Sequence, residues 1–596
     1  MARQELSQER RVGALLLREA TQRLAQGHLA VAQRVAERSL EAFEKAMDMD
    51  GMCAASSLVG RVHVRAGRLD QAQDAYRWSL VEAQRRGLEV RELSALTDLG
   101  ALAELRGDLT AAVSTHRQVL ERQRQCDENI GIAIAAGNVG RLLPRLTART
   151  DADGLRDEAR RLLTEAMQRF EHAGNLAGVV NCQICLGDLE RAAGDLAAAE
   201  TAFAQAASSS QGRNLSLHAA AVLNLGHVLR DRGLHAQARA LFEQSRLESE
   251  QLGDVLGAAR ATLARAMAAD DTVSLPDRIA EFGEVEALFA RIDQPGGLWT
   301  ARVNRAGLLC RLARLPQADA LLADAQQAME TAGDRLAMHE IVLGRAELAL
   351  TRGLSAEMTR LLALVPTLQC PPRIRFRREL LVIRVAARSL RVQQAYEQLQ
   401  TLTPASESER FSQASLQCEL AGLLGDPSTE SQLVSLRFLA QDHPRKHAVA
   451  LLQQADFLSW CGLWDEALML SAQATELWQA RGEPLLWLRS RMVTWTTQLL
   501  CSQNVDIAEI MSAITIAQSA QAGDLLPQLQ VLHACALRDE SKALATLPRL
   551  DASANAAAAL VAAQLADAMG LGERAKYEAN QRFGRDPFGP AWWKPS

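Results

Sequence analysis

Few residues in this chain stand at spacings that chemistry needs. Cys182 and Cys185 form a C-x-x-C pair, the spacing of half a zinc site or of a redox dithiol. No second pair lies at zinc-ligand distance and no βαβ context surrounds them, so both read as small buried hydrophobes. His443 and His447 stand four apart, but Pro444 between them argues for a loop or a helix start, and no third ligand is local. Asp270 and Asp271 read as a solvated loop. There is no Gly-Lys pair, hence no phosphate-cradling P-loop, and no G-x-S-x-G or H-E-x-x-H. These residues predict a protein that is not an enzyme and that carries no metal and no cofactor.

Recurring polar residues give a different pattern. Asp98, Asn138, Asn224 and Asn304 occupy one position of a repeating unit, and Arg61, Arg141, His227 and Arg345 occupy another three residues further on. Asparagine offers both a donor and an acceptor, the complement of a peptide backbone. An arginine fork suits a carboxylate. If these positions face one groove, they hold a peptide or helix of a partner protein; the alternative is that each amide caps or bridges helices of its own chain and each arginine is solvated.

The elements that must position them are written most plainly from Asn181 to Ser208. Leu186-Gly187, the turn Gly194-Asp195-Leu196, then Ala199, Phe203 and Ala206 set small and large apolar residues where two antiparallel helices pack. Gly60, Gly100, Gly140, Gly187 and Gly226 share the position of Gly187, with Ala72, Ala112, Ala199 and Ala238 twelve residues on in four of the five. The spacings are 40, 40, 47 and 39, and the long one contains the insertion RLTARTDADGL, after which the second helix resumes at Ala159 and Ala166. Further units fall at Ala306 with Ala318 and at Gly344 with Ala356; a degenerate one lies near Ala264 to Ala266.

This order of residues resembles the tetratricopeptide repeat, in a long-period form similar to the arrays of kinesin light chains, MalT-like bacterial regulators and the sensor arrays of signalling ATPases. The resemblance covers about residues 50–365. It implies an all-α, right-handed α-solenoid whose first helices line a concave face, and asparagines at the matching place in such arrays hold peptides. After Pro366 the Gly/Ala register is lost across VPTLQCPPRIRF, TLTPASESER and LLGDPSTESQ. The expected organisation is an N-terminal helical cap (1–50), the solenoid (51–365), a degenerate helical segment (366–444), a C-terminal helical block (445–583) and a tail (584–596). Trp460, Trp464, Trp478, Trp487 and Trp495 cluster in the C-terminal block and read as a bulky core or an aromatic recognition surface. The tail's Phe588, Trp592 and Trp593 lie among prolines and either cap the last helix or dock elsewhere.

Bulk properties agree with helices packed through small residues. The chain has 596 residues, of which 48% are hydrophobic and 4% aromatic. A net charge of −5 predicts no general attraction to nucleic acid or to a membrane surface. Ten cysteines at irregular spacing, no cleavable leader and no run of about 18 apolar residues predict a soluble cytoplasmic protein. The expected function is a scaffold or adaptor in a bacterial regulatory or assembly pathway. The alternative is a peptide- or metabolite-sensing array acting on a separate effector.

Overall fold

The computed structural model describes residues 2–25, 28–146, 152–269, 273–292, 294–366, 370–388, 391–441 and 443–537. These contain 27 α-helices and no strand. The expected all-α stack of helical hairpins is what the chain forms. Phe588, Trp592, Trp593 and the pair Asp270-Asp271 lie outside the described residues.

The chain divides into two compact units, Met1–Ala268 and Ala269–Ser596, so the boundary falls inside the stretch 51–365 that the repeat register treats as one array. Unit 1 is a run of six hairpins. They are α1 (Ala2–Ala25) with α2 (Leu29–Lys45), α3 (Met49–Arg65) with α4 (Leu69–Arg86), and α5 (Glu89–Leu105) with α6 (Leu109–Gln125). Then follow α7 (Asn129–Leu146) with α8 (Ala152–His172), α9 (Leu176–Ala193) with α10 (Leu196–Ser210), α11 (Leu215–Asp231) with α12 (His235–Gln251), and the single helix α13 (Val255–Met267).

The marker glycines explain why these helices approach so closely. A Cβ on Gly187 would stand 2.7 Å from the Phe203 ring; one on Gly60 would meet Tyr76 at 2.4 Å, on Gly100 His116 at 2.8 Å, and on Gly226 Phe242 at 2.7 Å. In each case the large residue follows its glycine by 16 positions. Gly140 meets Leu163 instead, 23 positions on, because the insertion adds seven residues. Helix takes up part of that insertion: α7 runs through Pro144 to Leu146, and α8 starts at Ala152 with 21 residues. Ala72, Ala112, Ala159, Ala199 and Ala238 are fully buried where the second helix crosses. Burying each ring or aliphatic plug opposite its glycine contributes roughly 2–3 kcal/mol.

Turns repeat as faithfully. Gly107, Gly174, Gly194 and Gly253 adopt positive φ, and the Asx residue after each caps the next helix, as where Asp195 accepts from the Ala198 N–H at 2.9 Å.

Unit 2 opens on α14 (Leu275–Arg291) and continues as hairpins α15 (Pro295–Arg311) with α16 (Leu315–Ala332), and α17 (Arg335–Thr351) with α18 (Ser355–Ala363). Next come α19 (Pro372–Arg388) with α20 (Val392–Gln400), and α21 (Glu407–Leu424) with α22 (Thr429–Ala440). The unit finishes with α23 (Pro444–Trp460) and α24 (Trp464–Ala480), α25 (Pro484–Leu500) and α26 (Ile507–Ser519), and α27 (Leu526–Ala536). Hairpins therefore continue through 366–444, where the Gly/Ala register is lost, with second helices cut to 9 and 12 residues in α20 and α22. Trp478 and Trp495 are fully buried, which fits the bulky-core reading for those two, whereas Trp464 is exposed.

Unit 2 also folds back on itself. Arg311 on α15 donates to Glu483 ahead of α25 at 2.8 Å, Arg352 after α17 to Gln521 at 2.8 Å, and the Asp524 N–H lies 3.4 Å from the Thr351 carbonyl. These contacts link positions about 170 apart and close the stack into a ring.

Candidate functional site

The sequence-predicted residues are placed as follows. Asp98 on α5 sits 3.8 Å from Arg61 on α3. Burial, only partly offset by Arg61, pushes its carboxyl up to about 6, and its Oδ2 is buried with no hydrogen-bond partner among the described residues. Arg141 on α7 forks Glu104 on α5 through two bonds of 2.7 Å, and Arg145 joins the same carboxylate. The Arg141 bond holds Glu104 below the usual carboxylate range. Asn224 gives its amide N–H to the Ala220 carbonyl at 3.1 Å, and Asn304 to Thr300 at 2.8 Å, one turn back on their own helices. Asn138 is half-buried on α7. His227 lies against the Phe242 ring, centroids 5.0 Å apart; burial, aided by Arg230 and Arg191, takes its pKa down to about 4. Arg345 in unit 2 bonds Gln326 at 2.8 Å and faces Asp319 and Glu357.

Most members of the predicted ladder thus engage neighbours within their own unit. The inter-repeat arginine–carboxylate pairs follow one another along unit 1: Arg91 with Asp50, Arg141 with Glu104, Arg160 with Glu190. Cys182 and Cys185 behave as the buried hydrophobes expected, burial pushing their thiols up to about 12 and about 11. His443 precedes α23, with Pro444 at the first helical position. Among the described residues no cluster of three or more His, Cys, Asp or Glu could hold a metal ion, and no helix is long and apolar enough to cross a membrane.

A concavity of about 470 Å³ lies within unit 2, in the size range of small-ligand sites. Its walls are first helices: Glu347 from α17, Arg384 and Arg388 from α19, Ser415 and Glu419 from α21, Gln453, Asp456 and Trp460 from α23, Arg489 and Met492 from α25, with Asp524 and Gln528 at α27. Leu452, Phe457, Leu486 and Val493 supply an apolar flank.

Several of these charges are already matched. Asp524, 2% exposed, accepts from Arg388 at 3.1 Å and from Arg489 at 2.9 Å. Burial lowers the Arg388 guanidinium below its usual value. Glu347 is forked by Arg377 at 2.8 and 2.7 Å. Asp456, Arg384 and Glu419 are different, since none of the three has a hydrogen bond or ion pair among the described residues. Asp456 keeps some accessible surface because the cavity reaches it, yet protein surrounds it; burial, with the Glu419 charge adding, pushes its carboxyl up to about 7.

Repeat-register reasoning missed this site because it followed glycine and alanine. A signal was present: Glu347, Arg384, Glu419 and Asp456 recur in successive first helices at spacings of 37, 35 and 37. A charge recurring once per unit on the lining helix marks a wall that faces something polar.

No family model matches this chain, and no curated protein matches it. Among solved structures it is similar to the apo form of the quorum sensor NprR from B. thuringiensis, at 14% identity and a TM-score of 0.40, over 59% of this chain and 96% of that one. It is also similar to a Rap protein complexed with Competence and Sporulation Factor, at 14% identity and a TM-score of 0.38, over 60% of this chain and 100% of that one. A third is BtubC (BKLC) from P. vanneervenii, at 16% identity and a TM-score of 0.31, over 42% and 92%.

Proposed function

We propose that this chain is a non-catalytic binding protein whose second unit encloses a small polar ligand, a metabolite or a short peptide, and whose output passes to a separate protein. One observation carries the reading: successive first helices of unit 2 line a concavity of about 470 Å³ and present charged side chains to it that the protein leaves unmatched. A partner's helix, about 10 Å across, calls for an open groove rather than a cavity of this size. The Cys418 thiol on its wall is pushed up to about 12 by burial and is no nucleophile. No histidine is among the lining residues.

The test is uptake of defined ligands by the full chain. Native mass spectrometry against a tripeptide library and a metabolite panel is expected to give a one-to-one complex, lost in Val493→Trp, which fills the apolar flank without touching the charges. Equal uptake by V493W would move the site elsewhere.

A second reading concerns unit 1, where the adaptor role rests on Asp98 and its unmatched buried Oδ2, with the half-buried Asn138 at the same register position of the next repeat. A partner's backbone N–H would complete that acceptor. Substituting Asn138 and Asn224 by Ala is expected to weaken capture of a protein partner with circular dichroism unchanged; unaltered capture would assign both amides to the array itself.

A further inference from the structure

We infer that the unit 2 cavity takes a zwitterion with an apolar body, a free amino acid or short peptide whose ammonium meets Asp456 and whose carboxylate meets Arg384; this rests on the reading of unit 2 as a ligand-enclosing ring. The two side chains line one cavity from helices α23 and α19, with α21 between them. Each lacks a partner of opposite charge among the described residues, although 23% of the chain is charged and ion pairs are dense elsewhere. Leaving the Asp456 carboxyl unmatched with protein around it is costly unless something else completes it, and the half-buried Arg384 on the same wall is open to an anion. An ammonium satisfies one and a carboxylate the other. Between the two poles, Leu452, Phe457 and Val493 offer apolar surface to a side chain.

The other charges support this polarity. Arg388 and Arg489 share the single carboxylate of Asp524, which leaves the α19 end of the cavity cationic. Glu419, on α21 between the two, acts on both Asp456 and Arg388 and so belongs to neither pole alone. Glu347 is matched by Arg377 and favours neither pole.

A protonic consequence follows. In the empty cavity Asp456 is held up to about 7 by burial and by Glu419, so near neutrality it is partly protonated. An arriving ammonium favours the carboxylate and expels that proton. Affinity therefore rises as pH climbs from 6 to 7.5, and levels off where the ligand's own amine begins to lose its proton, at about 8 for an α-amino group.

The experiment uses the full chain and an equimolar library of tripeptides in three forms: free termini, N-acetylated, and C-amidated, with free leucine as a fourth probe. Titration calorimetry in buffers of differing ionisation enthalpy reads affinity and proton release together. Free-termini peptides are expected to bind at least tenfold more tightly than either blocked form, with net proton release near pH 7. Arg384→Gln is expected to abolish discrimination against the amidated form, and Asp456→Asn discrimination against the acetylated form together with the pH dependence. Asp456→Asn is isosteric, Arg384→Gln shortens the side chain, neither breaks an ion pair among the described residues, and the proton release is read on the unaltered protein. Binding of leucine as tight as that of the tripeptides would identify the ligand as an amino acid; much weaker binding, as a peptide. Equal binding of blocked and free forms, with loss in V493W, would overturn the zwitterion and leave the cavity as a ligand site. If no probe binds the unaltered chain, both readings fall.

Discussion

Units 1 and 2 are built from the same hairpin and reach different ends. In unit 1 glycines pack against rings or, at Gly140, against a leucine, and arginine forks cross between repeats, as with Arg160 and Glu190, 30 positions apart, or Arg91 and Asp50, 41 apart. In unit 2 the decisive bonds join positions 172 and 169 apart. A stack held only by adjacent contacts is a ladder, stable as a sum of nearest-neighbour terms. A stack whose ends meet becomes a vessel, and its cavity depends on the meeting point.

Glu483 gives the sharpest way to break that distinction. It is 1% exposed and accepts from Arg311, with Arg445 and Arg481 on the same carboxylate. Glu483→Ala leaves three guanidinium groups around a vacated anion and is expected to destabilise unit 2 by about 3–5 kcal/mol, the cost of orphaning a buried charge. Region-resolved hydrogen exchange should show lost protection in α15 and α25 and none in α3–α12. Loss spread evenly over both units would mean that ring closure is not what holds unit 2.

Glycine substitutions come next in size. Gly187→Ala forces a Cβ to 2.7 Å from Phe203 and is expected to cost unit 1 about 1–3 kcal/mol in denaturant unfolding. Gly344→Ala, at the same register position in unit 2, meets nothing closer than 3.8 Å. It is expected to be neutral or to stabilise by about 0.5–1 kcal/mol through helix propensity.

Acid titration separates two buried groups of unit 1. The Asp98 carboxyl is raised to about 6 in the folded chain against about 3.9 unfolded, so its contribution favours the fold at low pH and is lost as pH rises from 4 to 6. His227 is lowered to about 4 from about 6.5, so its contribution is present above 6.5 and lost as pH falls toward 4. The two oppose each other in one window. Asp98→Asn is therefore expected to steepen the loss of stability on acidification, and His227→Phe to reverse its sign relative to the unaltered protein, followed by thermal melts at pH 4 to 7. Smallest of all, Arg160→Gln removes one exposed rung to Glu190 and is expected to cost about 0.2–1 kcal/mol, less in high salt.

The hairpin was legible because its constraint is local. Gly187, Ala199 and Phe203 stand within one unit, and the 16-residue offset survives even the insertion before Ala159, which shifts it to 23. The polar ladder was legible as a spacing but not as a set of partners. Asn224 and Asn304 turn their amides onto carbonyls one turn back, a choice of rotamer that no spacing encodes. Arg141 finds Glu104 on the preceding first helix, visible only once the repeats are stacked. The closure between Arg311 and Glu483 had no local signature, since neither residue differs in kind from dozens of others. The wall charges Arg384 and Asp456 could have been seen by asking which charges recur in apolar lining helices rather than which glycines recur.

Where the two ends of the ring meet, Gly353 and Gly523 touch backbone to backbone: a Cβ on Gly523 would fall 2.3 Å from the Arg352 carbonyl oxygen, and Gly353 holds φ at +72°. Such a seam tolerates no change in circumference. Duplicating or deleting one hairpin between these glycines would carry the seam past its mate by a full helix pair, whereas the same event in the ladder merely lengthens or shortens it. Evolution can therefore count freely in the first half of this chain, and in the second half it must keep the number it has.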